Sequence, residues 1–125
     1  MRLRGVAIFF AVFVFAAALS NGQGAMAVEP GPVAPAEAKI IIEEKKDLVI
    51  LDVRNPSEYV VVHFPDALNI PVNELEARFA EVPADRPVLV HCGIGKRAAR
   101  GYQILKEKRK DIKELYFING EPLFN

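Results

Sequence analysis

The sequence predicts an α/β domain: a small parallel sheet with helices on both faces. Three observations predict it. Short apolar runs recur at residues 48–53, 67–70, 88–91 and 115–118. Two of them, Leu48-Val49-Ile50-Leu51-Asp52-Val53 and Val88-Leu89-Val90-His91, are almost continuously apolar, as strands covered on both faces are. Helix-start signals and amphipathic stretches lie between the runs, and strands alternating with helices argue for a parallel sheet.

Taken in order, the chain begins with a targeting pattern. Arg2 and Arg4 precede an unbroken apolar run of 14 residues, Val6 to Leu19. A small-polar stretch and Ala25-Met26-Ala27 follow. This is a charged n-region, an h-region and an A-x-A cleavage signal. The run is short for a membrane-crossing helix, which needs about 20 residues for about 30 Å of hydrocarbon. Residues 1–27 therefore read as a secretory signal cut after Ala27, which places the mature protein in the periplasm. The alternative is an uncleaved signal, the one case in which the protein would meet a membrane. No Cys stands just after the apolar run, at residues 20–28, which argues against a lipoprotein.

Residues 28–38 hold three prolines and no periodicity, and read as a Pro/Ala-rich linker. The domain is then residues 39–125. Ile40-Ile41-Ile42 is β-branched and reads as a first short strand, with residues 48–53 as the next. Asn55-Pro56 signals a helix start, with Asn55 as cap and Pro56 in the first turn. Phe64-Pro65-Asp66 is a turn, and residues 67–70 form a short strand ended by Pro71. Asn73 can cap a helix to about Ala80, with Leu75, Phe79 and Val82 on one face. Residues 88–91 are a buried strand. A helix follows to about Lys110, with Ala98, Tyr102 and Leu105 inward. Residues 115–118 are the last strand. The mixed charges of residues 106–114 read as a solvated helix face.

Composition narrows the function. The chain has 125 residues, 16 basic, 16 acidic, two His and one Cys. Removing residues 1–27 leaves 98 residues and a net charge of −2, enough for one small domain. There is no basic stripe for nucleic acid. A lone Cys rules out a disulfide framework, and two His supply too few ligands for an obvious metal centre. No cofactor is implied. His63 reads as a packing histidine.

The chemistry concentrates in Cys92-Gly93-Ile94-Gly95-Lys96-Arg97. Cys92 follows a parallel strand, where open α/β sheets place their ligand sites. Gly93 and Gly95 permit positive φ, so that successive N–H groups can converge on one point. The next helix adds the positive end of its dipole, and Lys96 and Arg97 add full charges. Together these favour thiolate over thiol, and the same cradle suits an anionic substrate. His91, adjacent on the strand, is expected to point to the other face, so a Cys–His dyad is not expected. A phosphate-binding P-loop fails on spacing, because Val90 stands where its first Gly is needed.

With these residues in hand, the chain resembles the rhodanese (thiosulfate sulfurtransferase) family, specifically its single-domain exported members, over roughly residues 39–120. Leu51-Asp52-Val53-Arg54-Asn55-Pro56-Ser57-Glu58-Tyr59 is similar to the family's D-V-R-x-x-x-E-[FY]. His63-Phe64-Pro65-Asp66-Ala67-Leu68-Asn69-Ile70-Pro71 is similar to H-I-P-G-A-x-N-[IL]-P. Residues Cys92 to Arg97 are similar to C-x-x-G-x-R. The loop has six residues, as in relatives acting on sulfane sulfur, rather than the seven of related phosphatases and arsenate reductases.

The resemblance implies that Cys92 takes sulfur from thiosulfate or a persulfide donor and passes it to cyanide or a thiol. A low-turnover sulfur carrier or binding module is the alternative. Gly93, Ile94, Gly95, Lys96 and Arg97 would bind the anionic donor. Asp52 would lie near the loop, and Arg54 and Glu58 would form a structural ion pair. A protein sulfur acceptor is a further partner class. Asp66 replaces the family glycine, and Ala98 replaces the usual Ser or Thr. Residues 119–125 stand where the family has a glycine, an aromatic and a final helix. The fold is thus expected to be shortened at the C-terminus, with one face less covered and Leu123 and Phe124 available to a partner.

Overall fold

The computed structural model describes residues 27–125. The expected export signal lies outside the described residues except for Ala27. The elements run β1 (Gly31–Val33), α1 (Pro35–Glu44), β2 (Val49–Asp52), α2 (Pro56–Tyr59), β3 (Leu68–Asn69), α3 (Val72–Arg78), a 3-10 turn (Phe79–Glu81), β4 (Val88–His91), α4 (Lys96–Lys108) and β5 (Leu115–Ile118). The sheet has five strands in the order β1-β5-β4-β2-β3, all parallel.

Register places Leu51 beside Val90 and Asp52 beside His91. Strand side chains alternate between faces. Leu51, Val53, Val88, Val90 and Cys92 therefore pack on the α3 and α4 side with Leu75, Ala98 and Leu105. Leu89, Tyr116 and Ile118 pack on the α1 side with Ala38 and Ile41. All four residues of β2 and of β4 are buried, as their nearly continuous apolar sequence requires. Truncating a fully buried leucine such as Leu51 or Leu105 to alanine would cost about 2–5 kcal/mol.

Two segments differ from the sequence expectation. Residues 28–38 are not a linker. Gly31–Val33 pairs with β5 as an edge strand, Val33 is buried, and the Asn119 amide donates to the Val33 carbonyl at 2.8 Å. Pro32 is tolerated because it sits on an edge. The domain thus begins ahead of residue 39.

Ile40-Ile41-Ile42 is helix rather than strand. Pro35 starts α1, and the Glu37 carboxylate accepts the Ala34 N–H at 2.8 Å. Ala38 and Ile41, three apart, then face the sheet. Capping and packing outweigh the β-branched propensity of the triplet.

The end of the chain also differs in detail. Phe124 is not left free: its ring lies 4.8 Å from that of Phe64 and 5.7 Å from that of His91. It covers the β2 end of the α1 face together with Phe64 and Ala67. Leu123 is exposed. The run at residues 106–114 is not wholly solvated, because Arg109 turns inward to the carbonyls of Phe79 and Val82 at 2.8 and 2.6 Å.

Candidate active site

The site is built where β4 ends. Cys92 follows His91 directly and keeps the α4 side of the sheet, where it is fully buried. The chain then turns through Gly93 and Ile94 to Gly95, which caps α4 at φ +111°. Of the two loop glycines, only Gly95 uses positive φ. At Gly93 a Cβ would stand 3.2 Å from the Arg97 Nη2, a tight contact with the end of that side chain. A Cβ on Gly95 would stand 2.8 Å from the Gly120 nitrogen, so the turn after β5 backs the loop.

The turn aims two amides at the sulfur. Cys92 Sγ accepts the Gly95 N–H at 3.0 Å and the Ala98 N–H at 3.2 Å. Amides of a helix's first turn have no intrahelical partner, and the macrodipole adds partial positive charge there. The arrangement stabilises a sulfur-centred anion. Ala98 was missed by the sequence reading, which stopped the ring at residue 97. The signal was present, because any first-turn amide of the following helix is free to bond the loop.

The loop cations differ in role. Arg97 forms a two-pronged pair with Glu58, Nη1 to Oε2 at 2.8 Å and Nη2 to Oε1 at 3.1 Å. This pair holds the Glu58 carboxyl down to about 2, chiefly through the hydrogen bond from Arg97, and raises Arg97. Glu58 also accepts the Asn55 N–H at 3.2 Å, which closes the start of α2, so the pair with Arg97 ties α2 to the loop. Lys96 is exposed, and Ile94 at the loop tip is 64% exposed.

Asp52, Arg54 and Glu58 are not arranged as expected. Arg54 pairs with Asp52 rather than Glu58: Nε reaches Oδ1 at 2.9 Å and Nη2 reaches Oδ2 at 2.7 Å. The alternation of an extended chain puts residues 52 and 54 on one face, and both are buried there. That face is the one opposite Cys92, so the Asp52 side chain points away from the sulfur, although its backbone pairs with His91, next to Cys92. Asn69 Nδ2 fastens the segment by donating to the carbonyls of Asp52 and Arg54. Sequence reasoning missed Asn69, whose contacts join β3 to β2.

His91 lies on that opposite face too, as alternation predicts. Its Nε2 is 3.6 Å from Asp52 Oδ2 and has no hydrogen-bond partner. Burial depresses its basicity, against a smaller pull upward from Asp52. His63 stacks on the Tyr59 ring, centroids 3.8 Å apart, and its Nδ1 lies 2.7 Å from the Tyr59 carbonyl. Asp66 takes φ +62°, the left-handed conformation a glycine would supply, so that turn is preserved.

The rhodanese-like domain family matches residues 34–120. The chain belongs to that family. A sulfurtransferase of Allochromatium vinosum is 36% identical over 62 residues, covering 50% of this chain and 55% of that protein. The chain thus spans about half the length of that relative. The thiosulfate:glutathione sulfurtransferase of Saccharomyces cerevisiae is 25% identical over 91 residues, 62% of this chain and 66% of that one. The human single-domain sulfurtransferase TSTD1 shares the fold, with a TM-score of 0.58 and 23% identity over 72% of this chain and 89% of that one. In this rhodanese-like domain the loop just described carries the one cysteine of the chain.

Proposed function

We propose that the protein is a sulfurtransferase that carries sulfane sulfur as a persulfide on Cys92. The observation that carries the reading is the pair of N–H groups, from Gly95 and Ala98, bonded to Sγ. Cys92 thiolate attacks the outer sulfur of thiosulfate. A new S–S bond forms, the old one breaks, and sulfite leaves with its electron pair. The same amides stabilise the charge of the bound persulfide. Cyanide or a thiolate then takes the outer sulfur, and Cys92 leaves as thiolate. The reacting form is the thiolate, which the two amides stabilise. Lys96 draws the anionic donor in, and Arg97, paired with Glu58, anchors the loop to α2.

A thiosulfate:cyanide assay on the purified protein tests this. Thiocyanate is expected from the native chain and not from Cys92→Ala. Equal rates from both would end the proposal. Persulfide formation without repeated turnover would move the reading to a sulfur carrier. Export to the periplasm rests on the N-terminal pattern, and the mature protein is expected to begin at Val28 on N-terminal sequencing.

A further inference from the structure

His91, next to Cys92 in the chain and fully buried at the end of β4, has no part in the sulfur chemistry above. Its ring is boxed in. Phe64 and Phe124 meet it edge-on, with centroids 5.1 and 5.7 Å away. Two acceptors face its nitrogens. Nδ1 lies 3.4 Å from the Cys92 carbonyl, and Nε2 lies 3.6 Å from Asp52 Oδ2. Burial keeps the ring neutral, so only one of the two nitrogens carries a proton.

Asp52 does not need that proton. A carboxylate has about four lone-pair positions. Arg54 fills them, with its backbone N–H and Nε on Oδ1 and with Nε and Nη2 on Oδ2. Nε2 of His91 stays without a partner. The ring proton therefore belongs on Nδ1, aimed at the Cys92 carbonyl. That carbonyl opens the active loop. Held toward His91, it leans to the face opposite the sulfur. The peptide from Cys92 to Gly93 is trans, so its N–H points the other way, to the face of Sγ. Gly95 and Ala98 already hold Sγ. A persulfide adds one more sulfur, and that atom needs a donor of its own.

Resting on the sulfurtransferase reading, we infer that His91 is a positioning residue: its Nδ1–H holds the Cys92 carbonyl and so turns the Gly93 N–H toward the outer sulfur of the persulfide. The ring touches neither sulfur and transfers no proton. It acts through one peptide, and the two phenyl rings together with the Asp52–Arg54 pair keep it from turning away.

His91→Asn and His91→Leu separate positioning from packing. The amide nitrogen of asparagine stands where Nδ1 stands and can donate to the same carbonyl, whereas leucine cannot. Packing ranks the two the other way, because a buried asparagine leaves its oxygen unpaired between phenyl rings. His91→Leu is thus expected to be the more stable in denaturant and the less active. Thiosulfate-to-cyanide turnover is measured per folded protein. His91→Leu should lower kcat about tenfold with KM moved by less than about twofold, and His91→Asn should recover most of the loss. Native kcat in His91→Leu, or a loss in His91→Asn at least as large as in His91→Leu, would assign His91 to packing alone and leave the sulfurtransferase reading intact. A second measurement needs no activity. Two-bond proton–nitrogen NMR at neutral pH reads the tautomer, and the His91 signal is the one missing from His91→Asn. A proton on Nδ1 is expected, and a proton on Nε2 would overturn the inference. A native chain with Nδ1 protonated but no turnover of thiosulfate would sink the sulfurtransferase reading and this role with it.

Discussion

Gly95 and Gly120 approach so closely that a Cβ on Gly95 would stand 2.8 Å from the Gly120 nitrogen. One caps α4 beneath the Cys92 sulfur, and the other turns the chain after β5. The contact is backbone to backbone, so no rotamer change can relieve it. The C-terminal turn is therefore part of the wall that shapes the sulfur cradle.

Gly95→Ala meets this contact at φ +111°, where an L side chain is strained in addition. Strain at such a position costs about 1–3 kcal/mol. The Gly95 N–H should also leave its line to Sγ. The expected result is a lower denaturation midpoint together with slower persulfide loading. A variant with native loading would mean that the cradle does not depend on this turn.

Arg97→Ala separates structure from chemistry. The Arg97 and Glu58 side chains are 35% and 36% exposed, so their pair should contribute no more than about 1 kcal/mol to stability. The Glu58 carboxyl, held at about 2 by Arg97, should return toward 4.5 in the variant. The sign follows: this contribution is full above pH 4.5 and is lost as pH falls toward the native value. Carboxyl titration by NMR reads the change directly. The KM for thiosulfate should rise. An unmoved Glu58 titration would show that the pair does not persist in solution.

Asp52→Ala removes the partner of a buried guanidinium. Arg54 is 6% exposed and would be left charged and unpaired. Breaking such a pair costs about 3–5 kcal/mol, a large share of the roughly 5–15 kcal/mol that holds a small domain. Denaturant unfolding should show a severe loss, and activity should fall only with the folded fraction. A stability loss under about 1 kcal/mol would contradict the buried pairing.

His91 gives the protein an acid-sensitive core. Burial holds its imidazole below the ordinary value of 6.5. The native form is then neutral, and the unfolded chain takes up the proton first as pH falls. This contribution to stability is full above pH 6.5 and is lost as pH drops through the lower native value. His91→Leu should flatten the stability profile below about pH 6.5. Identical slopes in the two proteins would assign the acid sensitivity elsewhere.

The parts of the fold legible in the sequence are those fixed by local pattern. Val88 to His91 announced a buried strand, and Cys92 to Arg97 announced a glycine turn into a helix. Alternation alone sent His91 to the face opposite Cys92. What escaped was decided by tertiary contact. Ile40 to Ile42 has strand propensity but a helical cap and a face to bury. Gly31 to Val33 is too short and too rich in proline neighbours to read as a strand until β5 offers it an edge. The exchange of partners among Asp52, Arg54, Glu58 and Arg97 depends on which face each side chain takes after β2 ends. Ala98 carries no side-chain signal, because its contribution is a backbone amide.

The most direct test of the sulfur cradle is the intact mass of the protein after thiosulfate treatment, followed by a cyanide chase. The cradle predicts a gain of one sulfur atom located on Cys92, its loss on adding cyanide, and no gain in Cys92→Ser. No gain in the native chain, or the same gain in Cys92→Ser, would contradict it.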